Sequence, residues 1–176
     1  MLRITEKILL HQIKNGDEQA FTIFYNKYRV KIYRFIYFKV SNEEKADDLT
    51  NDVFIKVFRY LRDGEDIENF QAFLYKTARN LVIDFYRTRK QEVSLEDAKE
   101  VEADIDVSKN LDTKLDIENI AKAVKKLPDN YKEIIILRFI NNFSFDEISE
   151  ATGKSHGSCR MLAHRGLKQL KEILDK

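Results

Sequence analysis

Apolar residues recur along this chain at steps of three and four, the period of an amphipathic helix, and alternating valine-rich runs are absent. Between Glu18 and Val40, the residues Phe21, Phe24, Tyr25, Tyr28, Ile32, Phe35 and Ile36 share one broad stripe, too aromatic to stay in water. Ser41-Asn-Glu-Glu44 has the serine-to-glutamate spacing of a capping box and predicts the start of the next helix. There Leu49, Val53, Phe54, Val57 and Leu61 face inward, and Asp48, Asn51, Asp52, Lys56 and Arg59 face out. Arg62-Asp-Gly-Glu-Asp66 breaks the pattern. A further helix over about 69–89 buries Leu74, Ala78, Leu81 and Phe85 and exposes Lys76, Arg79, Asn80, Asp84 and Arg87.

The period lapses over Gln91–Asp112, a carboxylate-rich stretch with few large apolar residues that reads as a flexible linker. It resumes near Ile117. Leu127-Pro128 ends that helix, because the residue before proline avoids helical angles and proline suits the first turn of the next helix. Tyr131, Ile134, Ile135, Leu137 and Phe139 then make a short hydrophobic helix. Ser144 with Glu147 forms a second capping box, Gly153 stops that helix in a left-handed turn, and Ser155 caps the last one. The last helix has two faces. Cys159, Leu162, Ala163, Leu167, Leu170 and Leu174 form an apolar stripe; His156, Arg160, His164, Arg165, Lys168 and Lys171 form a cationic one. A short helix, a glycine turn and a cationic second helix are the layout of a helix-turn-helix, whose second helix enters the major groove of DNA.

A single proline, five glycines, 43% hydrophobic and 35% charged residues in 176 describe a foldable all-α chain. The expected organisation is two small helical domains, 1–90 and 117–176, joined by an acidic linker, 91–116. No run is long enough to cross a bilayer, the N-terminus lacks the apolar core of a signal peptide, and one cysteine excludes an internal disulfide. A cytoplasmic protein without membrane insertion is the expectation. The net charge of +1 conceals segregation: Lys76, Arg79, Arg87, Arg89 and Lys90 are followed by Glu92, Glu96, Asp97, Glu100, Glu102, Asp104, Asp106 and Asp112, then by the cationic helix-turn-helix. Taken singly, each block is equally an ordinary solvated face.

Several short motifs occur together in order: Gln19-Ala-Phe21, Ala46-Asp-Asp-Leu-Thr-Asn-Asp-Val-Phe54, Phe73-Leu-Tyr-Lys-Thr-Ala-Arg-Asn80 with Ile83-Asp84, and Arg87–Lys90. Leu127-Pro128, Tyr131-Lys-Glu133, Leu137-Arg-Phe139, Phe145-Asp-Glu-Ile148, Gly157-Ser-Cys-Arg160 and His164-Arg165 follow in the second part. With these motifs the chain resembles the extracytoplasmic-function sigma factors, minimal bacterial initiation factors that give RNA polymerase its promoter specificity. Phe73 stands where that family often has tryptophan, and Met161 where its recognition helix often has a polar residue.

The resemblance implies that the first domain is sigma region 2 and the second sigma region 4, with core RNA polymerase and promoter DNA as partners. Asp48, Asn51, Asp52, Ile55 and Arg59 would dock on the β′ clamp, and the second domain's first helices on the β flap. Lys76, Arg79, Asn80, Asp84, Arg87, Arg89 and Lys90 would hold the −10 element, where cations beside Phe70, Phe73, Tyr75 and Tyr86 suit a single strand. Lys154, Ser155, Gly157, Ser158, Arg160, Met161, His164, Arg165 and Lys168 would read the −35 duplex. The linker would either occupy the polymerase's cationic RNA path or act as a soluble spacer. Many similar proteins are also held by an anti-sigma factor.

A conventional helix-turn-helix regulator explains the second domain equally well, but not the cationic helix ending at Lys90 or the exposed stripe of Asp48 to Arg59. An enzyme has no support. Cys159 lies on the apolar stripe and His156 and His164 on the cationic face, so no metal or thiol site forms, no catalytic set is visible and no cofactor is expected.

Overall fold

The computed structural model describes residues 2–67, 69–93 and 111–175, with side chains described within 6–67, 69–88 and 117–175. Every regular element among the described residues is helical, so the all-α expectation holds. The first half comprises α1 (Leu2–Lys14), α2 (Glu18–Val40), α3 (Glu43–Arg62) and α4 (Phe70–Val93). The second comprises α5 (Leu111–Lys125), α6 (Asp129–Ile135), α7 (Phe145–Thr152) and α8 (His156–Leu174), with a π-helical turn at Ile136–Ile140 continuing α6. Helix enters both ends of the segment expected as linker, to Val93 and from Leu111. Residues 94–110, which carry most of its carboxylates, lie outside the described residues.

In the first half, the Asp17 side chain accepts from the backbone N–H groups of Gln19 and Ala20 and starts α2. The aromatic stripe of α2 then becomes a core. Phe24 meets Phe70 edge-on at 4.5 Å and Phe54 at 5.8 Å, an arrangement the ring quadrupoles favour. Val53, Val57 and Leu61 of α3 and Leu74 and Ala78 of α4 close it. The expected capping box at Ser41 does not form. Ser41 ends α2 in the left-handed conformation at φ 52°, and the next residue, Asn42, caps α3 by accepting from Lys45 N–H at 2.8 Å. So short a connection leaves Ser41 no extended backbone from which to cap.

In the second half, Pro128 stands at the N-cap of α6, and Ile134 and Ile135 are buried. The π turn carries an extra residue per hydrogen-bonded ring and shifts the inward face. Ile136 and Leu137 are buried as a result, whereas Phe139, expected inside, is 48% exposed. Ser144 and Glu147 form the capping box, Gly153 ends α7 at φ 70°, and Ser155 caps α8 by accepting from Ser158 N–H. Cys159, Leu162, Ala163 and Leu170 are buried, but Leu167 and Leu174 are exposed, so the apolar stripe is narrower than expected. Gly166 completes it. A Cβ there would lie 3.0 Å from Ile135 Cγ1 and 3.1 Å from Tyr131 Cβ, so glycine is what lets α8 approach α6.

The halves pack against each other: α7 lies along α4, while α5 and the π turn lie against α2. Tyr75 of α4, 2% exposed, sits edge-on to Phe35 at 5.2 Å and to Phe143 at 4.7 Å. Asn141 donates to the Tyr75 hydroxyl at 2.8 Å and to the Lys31 carbonyl at 3.2 Å. Among the described residues, no helix is long and apolar enough to cross a membrane.

Candidate nucleic-acid and polymerase interfaces

The helix-turn-helix leaves one side of α8 open. Arg160, Met161, His164, Arg165 and Lys168 are all exposed along it, and Met161, 44% exposed, gives the cationic face an apolar spot. Arg160 lies 5.7 Å from the Phe145 ring, which Arg138 also covers at 4.8 Å. This aromatic shelf at the start of α7 steadies the arginine by cation–π attraction. Its signal was available in the sequence as a ring one residue after the Ser144 cap, but nothing there indicated that Arg138 or Arg160 would reach it. A Cβ on Gly157 would meet nothing within 4 Å, so internal packing does not require that glycine. Ser155 and Ser158 sit at the α8 N-terminus, where free N–H groups and the helix dipole favour phosphate. Lys154, just before them, is half-buried and borders a cleft of about 280 Å³ between the halves, together with Lys39, Arg79, Lys132 and Glu133.

On α4, Lys76, Asn80 and Arg87 are exposed, with Arg87 paired to Asp84 at 3.1 Å. Arg79 is engaged: its Nε lies 3.2 Å from Glu133, whose side chain is only 6% exposed. The side chains of Arg89 and Lys90 lie outside the described residues. Of the four rings grouped with these cations, Phe70 and Tyr75 are core, because α4 is covered on two sides and not one. Phe73 is half-buried against Tyr60 at 4.7 Å. Tyr86 is 40% exposed and donates to the Lys39 carbonyl at 2.8 Å.

Between α3 and α4 lies an open cleft of about 390 Å³ lined by Lys56, Arg59, Tyr60, Asp63, Phe73, Thr77 and Asn80. It brings Asn80, an amide able to donate and accept, beside two cations and two rings. Sequence periodicity had put Arg59 on a separate surface; the crossing of the two helices, which period alone does not give, joins them. The rest of the α3 stripe is open. Asp48, Asn51, Asp52 and Ile55 share its outer face, and Ile55 is 48% exposed among charges.

Burial perturbs several groups around the contact between the halves. It pushes the Lys39 ammonium below the ordinary lysine range, with Glu133, 3.9 Å away, pulling the other way. It also raises the Tyr75 phenol. Cys159 is fully buried whereas His164 is exposed, and among the described residues no group of His, Cys, Asp and Glu could hold a metal ion.

Family models for sigma-70 region 2 and sigma-70 region 4 match residues 24–92 and 117–170. SigW, an extracytoplasmic-function RNA polymerase sigma factor of Bacillus subtilis, is 29% identical over 177 residues, covering 94% of each chain. SigE, another such factor from Mycolicibacterium smegmatis, is 30% identical over 151 residues, covering 83% of this chain and 58% of its own. Among solved structures, the sigma factor RpoE of Bartonella quintana, crystallised with the anti-sigma factor NepR, superposes with a TM-score of 0.75 at 24% identity, over 89% of this chain and 98% of its own. CnrH, solved with the cytosolic domain of CnrY, gives 0.75 at 23% identity, over 97% of each chain. At such identities these two structures speak for the fold alone. The two sigma-70 models follow the order of the two halves, and the SigW match runs through both; the chain therefore belongs to the sigma-70 family as an extracytoplasmic-function sigma factor, a non-enzymatic factor that binds core RNA polymerase and promoter DNA to start transcription.

Proposed function

We propose that this sigma factor divides its work by helix. α8 reads the −35 duplex from the major groove with Arg160, Met161, His164, Arg165 and Lys168, while Lys154, Ser155, Gly157 and Ser158 engage phosphate at its N-terminus. An arginine donating twice to a guanine edge discriminates by about 1–3 kcal/mol. α4 holds the −10 strand with Lys76, Arg79, Asn80, Asp84, Arg87, Arg89 and Lys90, and an unstacked base enters the cleft between α3 and α4. Stacking on a protein ring returns about 1–3 kcal/mol per base, enough to offset its loss from the duplex. Asp48, Asn51, Asp52, Ile55 and Arg59 dock on the β′ clamp, and the second half on the β flap. The protein works in the cytoplasm, and an anti-sigma factor, such as the one bound to RpoE of Bartonella quintana, is its regulatory partner.

One observation carries this reading. α8 buries Cys159, Leu162 and Ala163 on one side and leaves Arg160, His164 and Arg165 exposed on the other, so its cations are free for a partner. The division is tested by measuring core-polymerase and −35 duplex binding separately. Arg165→Ala loses about tenfold in duplex affinity and keeps core binding, because it removes one guanine or phosphate contact. Asp52→Arg does the reverse, since a reversed charge on a docking face repels its partner. Equal loss of both activities in either variant sinks the division.

A further inference from the structure

Base edges in the major groove differ in their donors and acceptors, and thymine alone adds an apolar feature, its C5 methyl group. A helix that reads thymine by that methyl needs an apolar side chain among its polar ones. α8 has one. Met161 is 44% exposed, and its neighbours on the open side of the helix, Arg160, His164 and Arg165, are exposed as well. A single exposed apolar side chain is ordinary on a protein surface, so its exposure alone says little. Its place says more. His164 and Arg165 follow it by three and four residues, so a histidine and an arginine flank it one turn later. The other apolar residues exposed on α8, Leu167 and Leu174, lie about a third of a turn or more around the helix.

The turn before Met161 is bare. Gly157 stands four residues earlier on the same side, and a Cβ there would meet nothing within 4 Å. No packing within the protein requires a glycine at that position, and the missing side chain leaves the approach to Met161 open. Arg160 is held toward the Phe145 ring, 5.7 Å away. The thioether thus stands in a shallow notch, bordered by groups that donate hydrogen bonds and itself able to donate none.

We propose that Met161 is the specificity residue for one thymine of the −35 element, its thioether packing on the C5 methyl in the notch beside Gly157. The proposal deepens the assignment of α8 to the −35 duplex and rests on it. Methionine suits the task, because its unbranched and polarisable chain adapts to the surface it meets. A guanine, cytosine or adenine edge in the same place would lose water and gain no hydrogen bond. The wrong base is therefore penalised while the right one is favoured. Arg160 and Arg165 remain beside it to donate to guanine or phosphate, so α8 reads by two chemistries at adjacent positions.

Replacing thymine by uracil deletes the methyl and leaves the rest of the major-groove edge unchanged. The test uses the full chain in complex with core polymerase, on the duplex it binds best in a promoter library, with each thymine of the upstream element replaced in turn. One replacement is expected to lower affinity about fourfold, the scale of one buried methylene group. Met161→Leu, still apolar, is expected to keep that penalty, whereas Met161→Gln is expected to bind the thymine and uracil duplexes equally. Circular dichroism checks that both variants fold. The proposal is overturned by an upstream element without thymine, by no penalty at any thymine, by its disappearance in Met161→Leu, or by its persistence in Met161→Gln. Arg165→Ala separates this contact from the reading beneath it, and is expected to relax selection of the upstream element while keeping the uracil penalty. If Arg165→Ala selects that element as wild type does, the assignment of α8 fails and the thymine contact with it. If selection relaxes but Met161→Gln keeps the penalty, the thymine contact alone fails.

Discussion

α4 and α8 are both long, amphipathic and cationic, yet they sit differently. α8 presses Cys159, Leu162, Ala163 and Gly166 against the rest of its half and leaves its cations in water. α4 is covered twice: by α2 and α3 through Phe70, Leu74 and Ala78, and by the second half through Tyr75 and Arg79. An apolar stripe therefore announces one packing surface of a helix. A second surface made of a tyrosine and an arginine goes unannounced, because those residues look equally at home in water.

The sharpest way to break this contrast is Tyr75→Ala. Its ring fills the space between Phe35 and Phe143, so truncation is expected to cost about 3–5 kcal/mol and to loosen both halves together. Chemical denaturation followed by circular dichroism measures it; a loss below about 1 kcal/mol would mean that the contact between the halves carries no load. Gly166→Ala tests the single-sided packing of α8. Alanine would gain helix propensity of about 1 kcal/mol, but the added methyl meets Ile135 and Tyr131, and overpacking of about 1–3 kcal/mol should win. A stabilised variant would refute the close approach of α8 to α6.

Alkaline titration gives the smallest effect. Burial raises the phenols of Tyr28, Tyr33 and Tyr75, with Tyr33 pushed up to about 12. Each folded-state pKa lies above the unfolded value of about 10, so the unfolded chain releases these protons first. Their stabilisation is intact below pH 10 and is lost as pH climbs through each folded-state value, about 12 for Tyr33 and higher for Tyr28 and Tyr75. Tyr75→Phe removes one such proton and the Asn141 hydrogen bond. It is expected to start about 1 kcal/mol less stable at neutral pH and to decline less steeply above pH 10. Parallel decline in wild type and variant would show that Tyr75 ionises freely.

Much of the architecture was legible in the order of residues. The inward faces of α2 and α3, the Ser144–Glu147 box, the Gly153 turn and the Ser155 cap all follow from local rules acting within one helix turn. Ser41 and Asn42 exchanged roles because a tight connection decides which of two adjacent polar residues is extended. Phe139 turned outward because a π turn shifts the frame, and no propensity scale marks that turn. Of the candidate surfaces, the α8 face and the α3 stripe were readable, being one-helix patterns. The α3–α4 cleft and the Glu133–Arg79–Lys39 cluster were not, since each depends on helices meeting across long stretches of chain.

The central claim is that α8 and α4 serve two different promoter elements on behalf of one polymerase. In vitro transcription by core polymerase over a promoter library, with wild type, Arg165→Ala and Asn80→Ala side by side, tests it most directly. The account predicts that wild type selects templates by two separated sequence elements, that Arg165→Ala relaxes only the upstream one, and that Asn80→Ala relaxes only the downstream one. Selection by a single element, or loss of the same element in both variants, would contradict it.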